Sequence, residues 1–174
     1  MTLLLKQIFA FIKLLNSETG TNQIAAGIAC GFILGMTPAL SLQSLIVFIF
    51  LLIFRIQIGA AFISAFFFSF IAYLLDPLFH MTGTFFLELP SLQGLFTKLY
   101  NMPIIPYTRF NNTIVLGSGI ISFALFPVIF FSSRWFVKKY RELIVQKIKN
   151  TKAWKAVQAT TLYKWYYKYK ELYG

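Results

Sequence analysis

Apolar residues are concentrated in three uncharged stretches that single charges separate from one another. The first stretch, 19–54, lies between Glu18 and Arg55, and the second, 56–75, lies between Arg55 and Asp76. The third, 110–133, lies between Arg109 and Arg134. A helix needs about 20 mostly apolar residues to cross a hydrocarbon core about 30 Å thick. The second and third stretches meet this requirement, so we predict spanning helices over 56–75 and 111–133.

The first stretch is too long for one crossing, and Thr37-Pro38 interrupts it. Proline lacks a backbone N–H and moves the residue before it away from helical geometry. The arms 22–37 and 39–54 are each about 24 Å long at the helical rise, which is short of a full crossing. We therefore predict a re-entrant helical hairpin over 22–54 that enters and leaves by one face. Two thin, tilted spans around a tight turn are the alternative.

Part of the sequence around Pro38 occurs again around Pro90. Ser-Leu-Gln follows both prolines, at 41–43 and at 91–93. If the match is real, residues 78–100 form a second hairpin, and the chain is an inverted repeat of hairpin, span, hairpin and span. Transporters use such repeats, with broken helices that meet near the membrane midplane. In the alternative, the segment between the spans is an outer-surface loop with an amphipathic helix.

The N-terminus predicts a short amphipathic helix over residues 3–16. Lys6, Ala10, Lys13 and Ser17 share one side at helical spacing, and the remaining positions are mostly apolar. Such a helix lies at the membrane surface. No cleavage site follows it, so we expect it to be retained. An extension of the first membrane segment is the other interpretation.

Three glycines recur at intervals of four residues in the first arm. Gly27, Gly31 and Gly35 fall close to one line on a helix and make a shallow groove. Small residues allow helices to approach closely in lipid. We assign the three glycines to helix packing and expect their partner on the first span. The candidate residues there are Ala61, Ala65, Ser69 and Ala72.

Composition and charge place the chain in a membrane. Hydrophobic residues make up 58% of the chain and charged residues 12%, and the net charge is +11. Soluble proteins average about 25% charged residues. Basic residues that flank spans stay cytoplasmic. With a hairpin over 22–54, fourteen basic residues lie inside, and Lys98 and Arg109 lie outside.

The predicted fold is thus an all-α membrane protein with both termini cytoplasmic. Its membrane domain covers 1–135, and a basic, aromatic helical tail covers 136–174. Basic residues beside a span attract anionic lipids by about 1 kcal/mol each. We assign this role to Arg134, Lys138, Lys139 and Arg141. Single-stranded nucleic acid is an unfavoured partner, because the tail follows a membrane span.

Polar residues within apolar surroundings are candidates for a lipid or substrate path, because burying them in a membrane is costly. The candidates are Glu88, Asp76, Arg55, Thr37, Gln43, Asn111 and Asn112. The alternatives are interfacial positions for Arg55 and Asp76, and simple pairing with free backbone groups for Thr37, Gln43, Asn111 and Asn112. Asp76 and His80 are four residues apart, as metal ligands on a helix can be. One histidine without a thiolate or a further nearby carboxylate provides too few ligands for a metal site. We predict no metal, no cofactor and no catalytic residue, and hence no enzyme.

Three segments carry a resemblance to a known family. They are Gly27-Ile28-Ala29-Cys30-Gly31-Phe32 with Thr37-Pro38 and Gln43, then Leu75-Asp76-Pro77-Leu78-Phe79-His80, and then Phe110-Asn111-Asn112-Thr113-Ile114-Val115-Leu116-Gly117. The chain resembles an uncharacterised family of small bacterial inner-membrane proteins over about residues 20–135. The resemblance implies a bacterium with an outer membrane and a tendency to be encoded beside a larger envelope protein, such as one of the lipid-bridge type. The architecture of hairpins and spans is also similar to that of VTT-domain lipid scramblases.

These features lead to two expectations for function. The first is lipid handling, in which the protein flips phospholipid or passes it to an envelope partner. The alternative is a structural subunit or anchor for a larger envelope protein, without transport activity of its own. The expected partners are membrane lipids and that envelope protein, with a homo-oligomer as a further candidate.

Overall fold

The computed structural model describes residues 3–39 and 41–145, which form helices and turns without a strand. The predicted all-helical class is confirmed. The elements are α1 (Leu3–Leu15), α2 (Thr21–Met36), α3 (Leu42–Ile53), α4 (Ile58–Glu88), α5 (Pro90–Tyr100), a 3₁₀ turn (Ile105–Thr108), α6 (Thr113–Tyr140) and a π-helical turn (Arg141–Val145). Most of the predicted tail, 146–174, lies outside the described residues.

Helices α4 and α6 are long and apolar enough to cross a membrane. In their most apolar segments, only 17% of the α4 residues and 28% of the α6 residues are buried. The core helix of a soluble protein would be mostly buried. Leu74, Phe85 and Phe131 are among the large apolar side chains that are exposed instead. These exposed apolar helices indicate membrane association.

Helices α2 and α4 pack in parallel along the glycine groove. Gly27 faces Ala60, Gly31 faces Ala61 and Gly35 faces Ala65, so residue numbers rise together on both helices. The backbone N–H of Gln57 donates a hydrogen bond of 3.3 Å to the carbonyl oxygen of Gln23. The two helices therefore begin at the same end of the fold.

The groove has no room for larger side chains. A Cβ atom at Gly27 would lie 2.5 Å from the carbonyl oxygen of Gln57, and one at Gly35 would lie 2.6 Å from that of Ala65. Ala61 and Ala65, two of the four residues expected opposite the glycines, lie in this contact. Ser69 is exposed, and Ser64 takes part instead.

The helix of the first predicted span is longer than the apolar stretch 56–75. Helix α4 continues through Asp76 and Pro77 to Glu88, which makes it about 46 Å long at the helical rise. Proline removes one backbone donor, and packing can offset that loss. Packing continues beyond Pro77, since Phe79 and Gly83 are both buried.

Helices α4 and α6 pack antiparallel through a second glycine contact. Gly83 meets the backbone of Thr113, and Gly117, one turn further along α6, meets the carbonyl oxygen of Phe79. A hydrogen bond of 2.7 Å also joins Nδ1 of His80 to Oγ1 of Thr113. The remainder of α6 therefore returns towards the end where α4 begins.

The segment 78–100 differs from the predicted second hairpin. Its first part is the C-terminal portion of α4, and only Leu89 separates α4 from α5. None of the α5 residues is buried. In an inverted repeat, the first arm of the second hairpin and α6 would pack in parallel, as α2 and α4 do. Instead, the C-terminal portion of α4, which occupies the place of that arm, packs antiparallel to α6. The shared Ser-Leu-Gln letters therefore do not correspond to a shared packing arrangement.

The core lies where the hairpin of α2 and α3 meets α4. It contains Cys30, Phe32, Ile33, Met36, Val47, Leu51, Ala61 and Phe79, with Ile114, Ile121, Phe126 and Ile129 of α6 packed against it. Helix α1 buries only Leu14 and Leu15, and Leu14 lies beside Gly59 at the start of α4. The predicted N-terminal helix is therefore present, and most of its apolar side chains are exposed.

Candidate functional site

Pro38 creates a polar break between two apolar helices. Thr37 ends α2 in an extended conformation (φ −100°, ψ 147°), which is the geometry that a following proline favours. Ser41 begins α3 as its N-cap, and its Oγ accepts a hydrogen bond of 3.2 Å from the backbone N–H of Ser44. The hairpin thus has free backbone groups in the middle of an apolar structure, and hydroxyl side chains pair with them.

Three hydroxyls form a connected cluster at the break. Thr37 Oγ1 donates to the carbonyl oxygen of Ile33 at 2.8 Å, and Ser44 Oγ donates to that of Pro38 at 2.9 Å. Ser41 Oγ donates to Ser44 Oγ at 3.1 Å, and the hydroxyl oxygens of Thr37 and Ser44 are 3.0 Å apart. Ser41 and Ser44 are only 4% and 5% exposed. The cluster is therefore internally hydrogen-bonded and almost fully buried.

A groove with a volume of about 630 Å³ opens beside this cluster. Most of its lining is apolar, and the polar groups are hydroxyls. The lining residues are Leu34, Ala39, Ser41, Leu42, Ser44, Leu45, Phe48, Phe62, Ile104, Tyr107 and Thr108. Small-molecule sites are typically apolar clefts of about 300–1,000 Å³ with a few convergent polar groups. The groove has the size and the character of such a site.

The 3₁₀ turn after α5 forms one wall of the groove. Ile104 and Tyr107 line the groove while 73% and 82% of their surfaces stay exposed. Arg109 ends the turn with a left-handed backbone (φ 57°), and its carbonyl oxygen accepts a hydrogen bond from the N–H of Asn112. This links the wall to the start of α6. The segment between α5 and α6 therefore belongs to the site, although its sequence pattern indicated only a loop.

Gln43 connects the first turn of α3 to α6. Its Nε2 donates a hydrogen bond of 3.3 Å to the carbonyl oxygen of Val115, and Gly119 leaves space for the side chain. The Oε1 atom of Gln43 is buried without a hydrogen-bond partner. Gln43 therefore faces the α6 side of the hairpin, whereas Ser41 and Ser44 line the groove.

The seven residues predicted for a lipid path fall into separate groups. Thr37 and Gln43 belong to the break, whereas the whole length of α4 separates Arg55 from Glu88. Asp76 is half-buried within α4, and Glu88 is exposed at its last residue. They do not form one continuous site.

Asn111 and Asn112 lie near the end of α4. Asn112 caps α6, because its Oδ1 accepts hydrogen bonds from the N–H groups of Ile114 and Val115. Asn111 lines a smaller cavity of about 260 Å³ together with Leu87, Phe96, Thr97, Tyr100, Asn101 and Phe110. Neither asparagine lines the larger groove.

Sequence reasoning missed several residues of the site and its supports. Phe48, Phe62 and the turn residues Ile104, Tyr107 and Thr108 line the groove but are ordinary apolar or loop positions in the sequence. Gly83 and Gly117 also went unnoticed. The run of small residues at 117–119 was the sequence signal that could have identified Gly117.

The residues predicted to bind anionic lipid lie at the C-terminal end of α6 and just beyond it. Arg134 is exposed on the last part of α6. The ammonium groups of Lys138 and Lys139 each lie 3.9 Å from a carboxylate oxygen of Glu142. Exposed pairs of this kind are weak, so both lysines can still interact with an anionic surface.

Metal-binding clusters are absent from the part of the chain that the structure describes. No three His, Cys, Asp or Glu residues lie together there in a way that could hold a metal ion. Cys30 is buried in the core as a free thiol. The site is therefore described by its hydroxyls, its free backbone groups and its apolar walls.

Comparisons with known proteins agree with the resemblance noted in the sequence. Residues 7–144 match the family model described as "Uncharacterized protein conserved in bacteria (DUF2062)". An uncharacterized protein of Treponema pallidum (strain Nichols) is 25% identical over 145 residues, covering 83% of this chain and 90% of the relative. No solved structure matches the chain. Because the family model covers most of its length, the chain belongs to this family of bacterial proteins.

Proposed function

We propose that the protein is an inner-membrane lipid-handling protein that flips phospholipid or passes it to an envelope partner. The groove beside the α2–α3 break carries this proposal. It lies in an exposed apolar surface, where the molecules available to fill it are membrane lipids. Its volume of about 630 Å³ and its apolar walls suit an acyl chain.

The lengths of α2 and α3 support a re-entrant hairpin. Their 16 and 12 residues measure about 24 Å and 18 Å at the helical rise, against a hydrocarbon core of about 30 Å. Helix α4 is long enough to cross and begins at the same end as α2. In this arrangement the break lies within the membrane, and the groove is accessible to lipid from the side.

Charge supports a cytoplasmic location for the end where α2 and α4 begin. Lys13 lies near the end of α1, which packs there, and Arg55 immediately precedes α4. Arg134 lies on the part of α6 that returns to this end. Basic residues beside spans remain in the cytoplasm, so both termini are cytoplasmic in the proposed topology.

An anchor for a larger envelope protein would need a free docking surface, for which the glycine groove of α2 is a candidate. Gly27, Gly31 and Gly35 all face α4 instead. A partner helix could bind there only after displacing α4. This occupancy favours lipid handling over the anchor.

A transbilayer exchange assay tests the proposal. The purified full chain is reconstituted into liposomes that contain a fluorescent phospholipid, and a membrane-impermeant quencher reports how fast inner-leaflet lipid reaches the outer leaflet. We expect exchange to be faster than in protein-free liposomes. Leu45→Trp fills the groove and should abolish the acceleration.

Ile46→Trp is the matched control. Ile46 neighbours Leu45 on α3, and the two side chains are 47% and 55% exposed, but Ile46 does not line the groove. This variant should exchange lipid like the unmodified protein. The absence of acceleration in the unmodified protein, or an equal loss in both variants, would overturn the proposal.

A further inference from the structure

Five polar side chains of α4 fall on one face of that helix and form a polar stripe. At the helical repeat, the positions of Ser69, Tyr73, Asp76, His80 and Thr84 lie within an arc of about 80°. The stripe extends for about 22 Å along the helix axis. Ser69, Tyr73 and His80 are exposed, so the stripe lies at the surface of the fold.

The polar stripe lies within the apolar surface of α4 rather than at its edge. Large exposed apolar side chains begin before the stripe at Phe62 and continue beyond Asp76 at Leu78, Met81 and Phe85. The midpoint of this exposed run is within about one helical turn of Asp76. In the proposed topology, Asp76 therefore lies near the middle of the membrane and not at an interface.

The carboxylate of Asp76 is available to a ligand. It makes no hydrogen bond and no ion pair with the residues that the structure describes. Helix α4 has no Lys or Arg, and α6 has none before Arg134. Ionisable side chains inside a membrane are costly, and they mark paths for substrates, ions or protons. A ligand that carries a positive charge would pair with this carboxylate.

Polar groups on both sides of Asp76 suit the remainder of a lipid headgroup. The phenol of Tyr73 belongs to a side chain that is 80% exposed, and its O–H can donate to a phosphate oxygen. Nδ1 of His80 is hydrogen-bonded to Thr113, which leaves Nε2 for a ligand. The hydroxyl of Ser69 donates to a carbonyl oxygen of its own helix and keeps its lone pairs as acceptors. The stripe therefore offers hydrogen bonds before and after the carboxylate.

We infer that the polar stripe is the path of a phospholipid headgroup across the membrane, and that Asp76 favours headgroups with an ammonium group, such as phosphatidylethanolamine. Moving a headgroup through hydrocarbon is costly unless polar groups replace part of its water. Phe62, which lines the groove, is seven residues before Ser69 and falls within the same arc. A lipid with an acyl chain in the groove can thus place its headgroup on the stripe. The inference rests on the proposed function and names the substrate class and the path.

Two fluorescent lipids that differ only in their headgroups test the inference. Phosphatidylethanolamine and phosphatidylglycerol, each with the same nitrobenzoxadiazole-labelled acyl chain, are reconstituted separately with the full chain in phosphatidylcholine vesicles. Dithionite then reports how fast inner-leaflet lipid reaches the outer leaflet. The label is on the chain, but no signal arises until the headgroup has crossed. We expect phosphatidylethanolamine to cross about fivefold faster, which is the effect that an exposed ion pair can have.

Two substitutions at Asp76 separate its charge from its polarity. Asp76→Asn keeps hydrogen-bonding groups and should abolish the preference for phosphatidylethanolamine. Asp76→Leu removes both and should slow phosphatidylethanolamine at least about tenfold, the effect of one hydrogen bond to a charged group. Thr82→Val is the matched control, because Thr82 lies outside the stripe and its hydroxyl donates to the carbonyl oxygen of Leu78 within the helix. It should leave both rates unchanged.

The possible outcomes separate this inference from the proposed function. Equal crossing rates of the two lipids in the unmodified protein, or a preference that persists in Asp76→Asn, would overturn the role of Asp76. Normal exchange in Asp76→Leu together with lost exchange in Leu45→Trp would overturn the stripe and leave the groove intact. If the unmodified protein accelerates neither lipid, then both the inference and the proposed function fail.

Discussion

Gly31 of α2 packs directly against the backbone carbonyl of Ala61 in α4. This contact lies at the centre of the parallel α2–α4 interface, between the contacts of Gly27 and Gly35. In lipid, helices gain little from the hydrophobic effect and associate through close packing. The position of the hairpin, and so of the groove, depends on this interface.

Gly31→Leu should therefore destabilise the fold. The new side chain would meet backbone atoms that cannot move aside, and overpacking of this kind costs about 3 kcal/mol. Thermal unfolding in detergent measures the change. Gly94→Leu is the control, because a Cβ at Gly94 meets nothing within 4 Å, and it should leave the midpoint unchanged. Equal losses in both variants would contradict the interface.

The antiparallel contact of α4 with α6 can be tested by cross-linking. In a Cys30→Ser background, His80→Cys combined with Thr113→Cys should be joined by a short bifunctional methanethiosulfonate reagent, because the native side chains are in direct contact through the 2.7 Å hydrogen bond between Nδ1 and Oγ1. Mobility on a non-reducing gel after cleavage between the helices reports the bond. Leu74→Cys with Thr113→Cys is the matched control, since Leu74 is exposed on α4 more than two turns before the Gly83 contact. Efficient cross-linking in the control alone would refute the packing.

Substitutions at Gln43 should show how much of its contribution to the free energy of unfolding comes from side-chain volume and how much from its hydrogen bond. Gln43→Leu loses one hydrogen bond but also removes a buried oxygen that has no partner, so its free energy of unfolding should change by less than about 1 kcal/mol. Gln43→Ala also leaves a cavity beside Gly119 and should cost about 2 kcal/mol. Equal losses in denaturant titrations would show that the amide itself holds α3 against α6.

The proposed topology predicts opposite locations for Arg55 and Gly94. Single cysteines in the Cys30→Ser background, Arg55→Cys and Gly94→Cys, should react with an impermeant maleimide from opposite sides of the inner membrane. Both positions are exposed, so both should be reactive. The Arg55 site should be labelled only after the cytoplasmic side is opened. Labelling of both from the same side of intact cells would rule out a membrane-crossing α4.

Local signals allowed much of the fold to be predicted. The backbone restrictions of Pro38 predict the break after Met36, and the length of the uncharged stretches predicts the two long apolar helices. The structure confirms both. The extent of α4 could not be predicted in this way. Asp76-Pro77 is a strong local stop signal, and the packing of Phe79 and Gly83 beyond it depends on α6, which lies more than thirty residues away.

The candidate site was only partly accessible to sequence reasoning. Thr37 and Ser41 could be located at the break, because irregular backbone in an apolar region needs hydrogen-bonding partners. The groove itself arises from four segments that meet in space, including Phe62 and the turn from Ile105 to Thr108. None of these has a distinctive residue type or spacing. The charged residues attracted attention in the sequence, but the structure distributes them along the length of α4 and beyond it.

Native mass spectrometry of the purified protein tests the central claim, that the groove at the α2–α3 break holds lipid, most directly. The account predicts a retained lipid adduct on the unmodified protein and on Ile46→Trp, and its loss from Leu45→Trp under the same detergent conditions. A protein without adducts, or equal retention by Leu45→Trp, would contradict it.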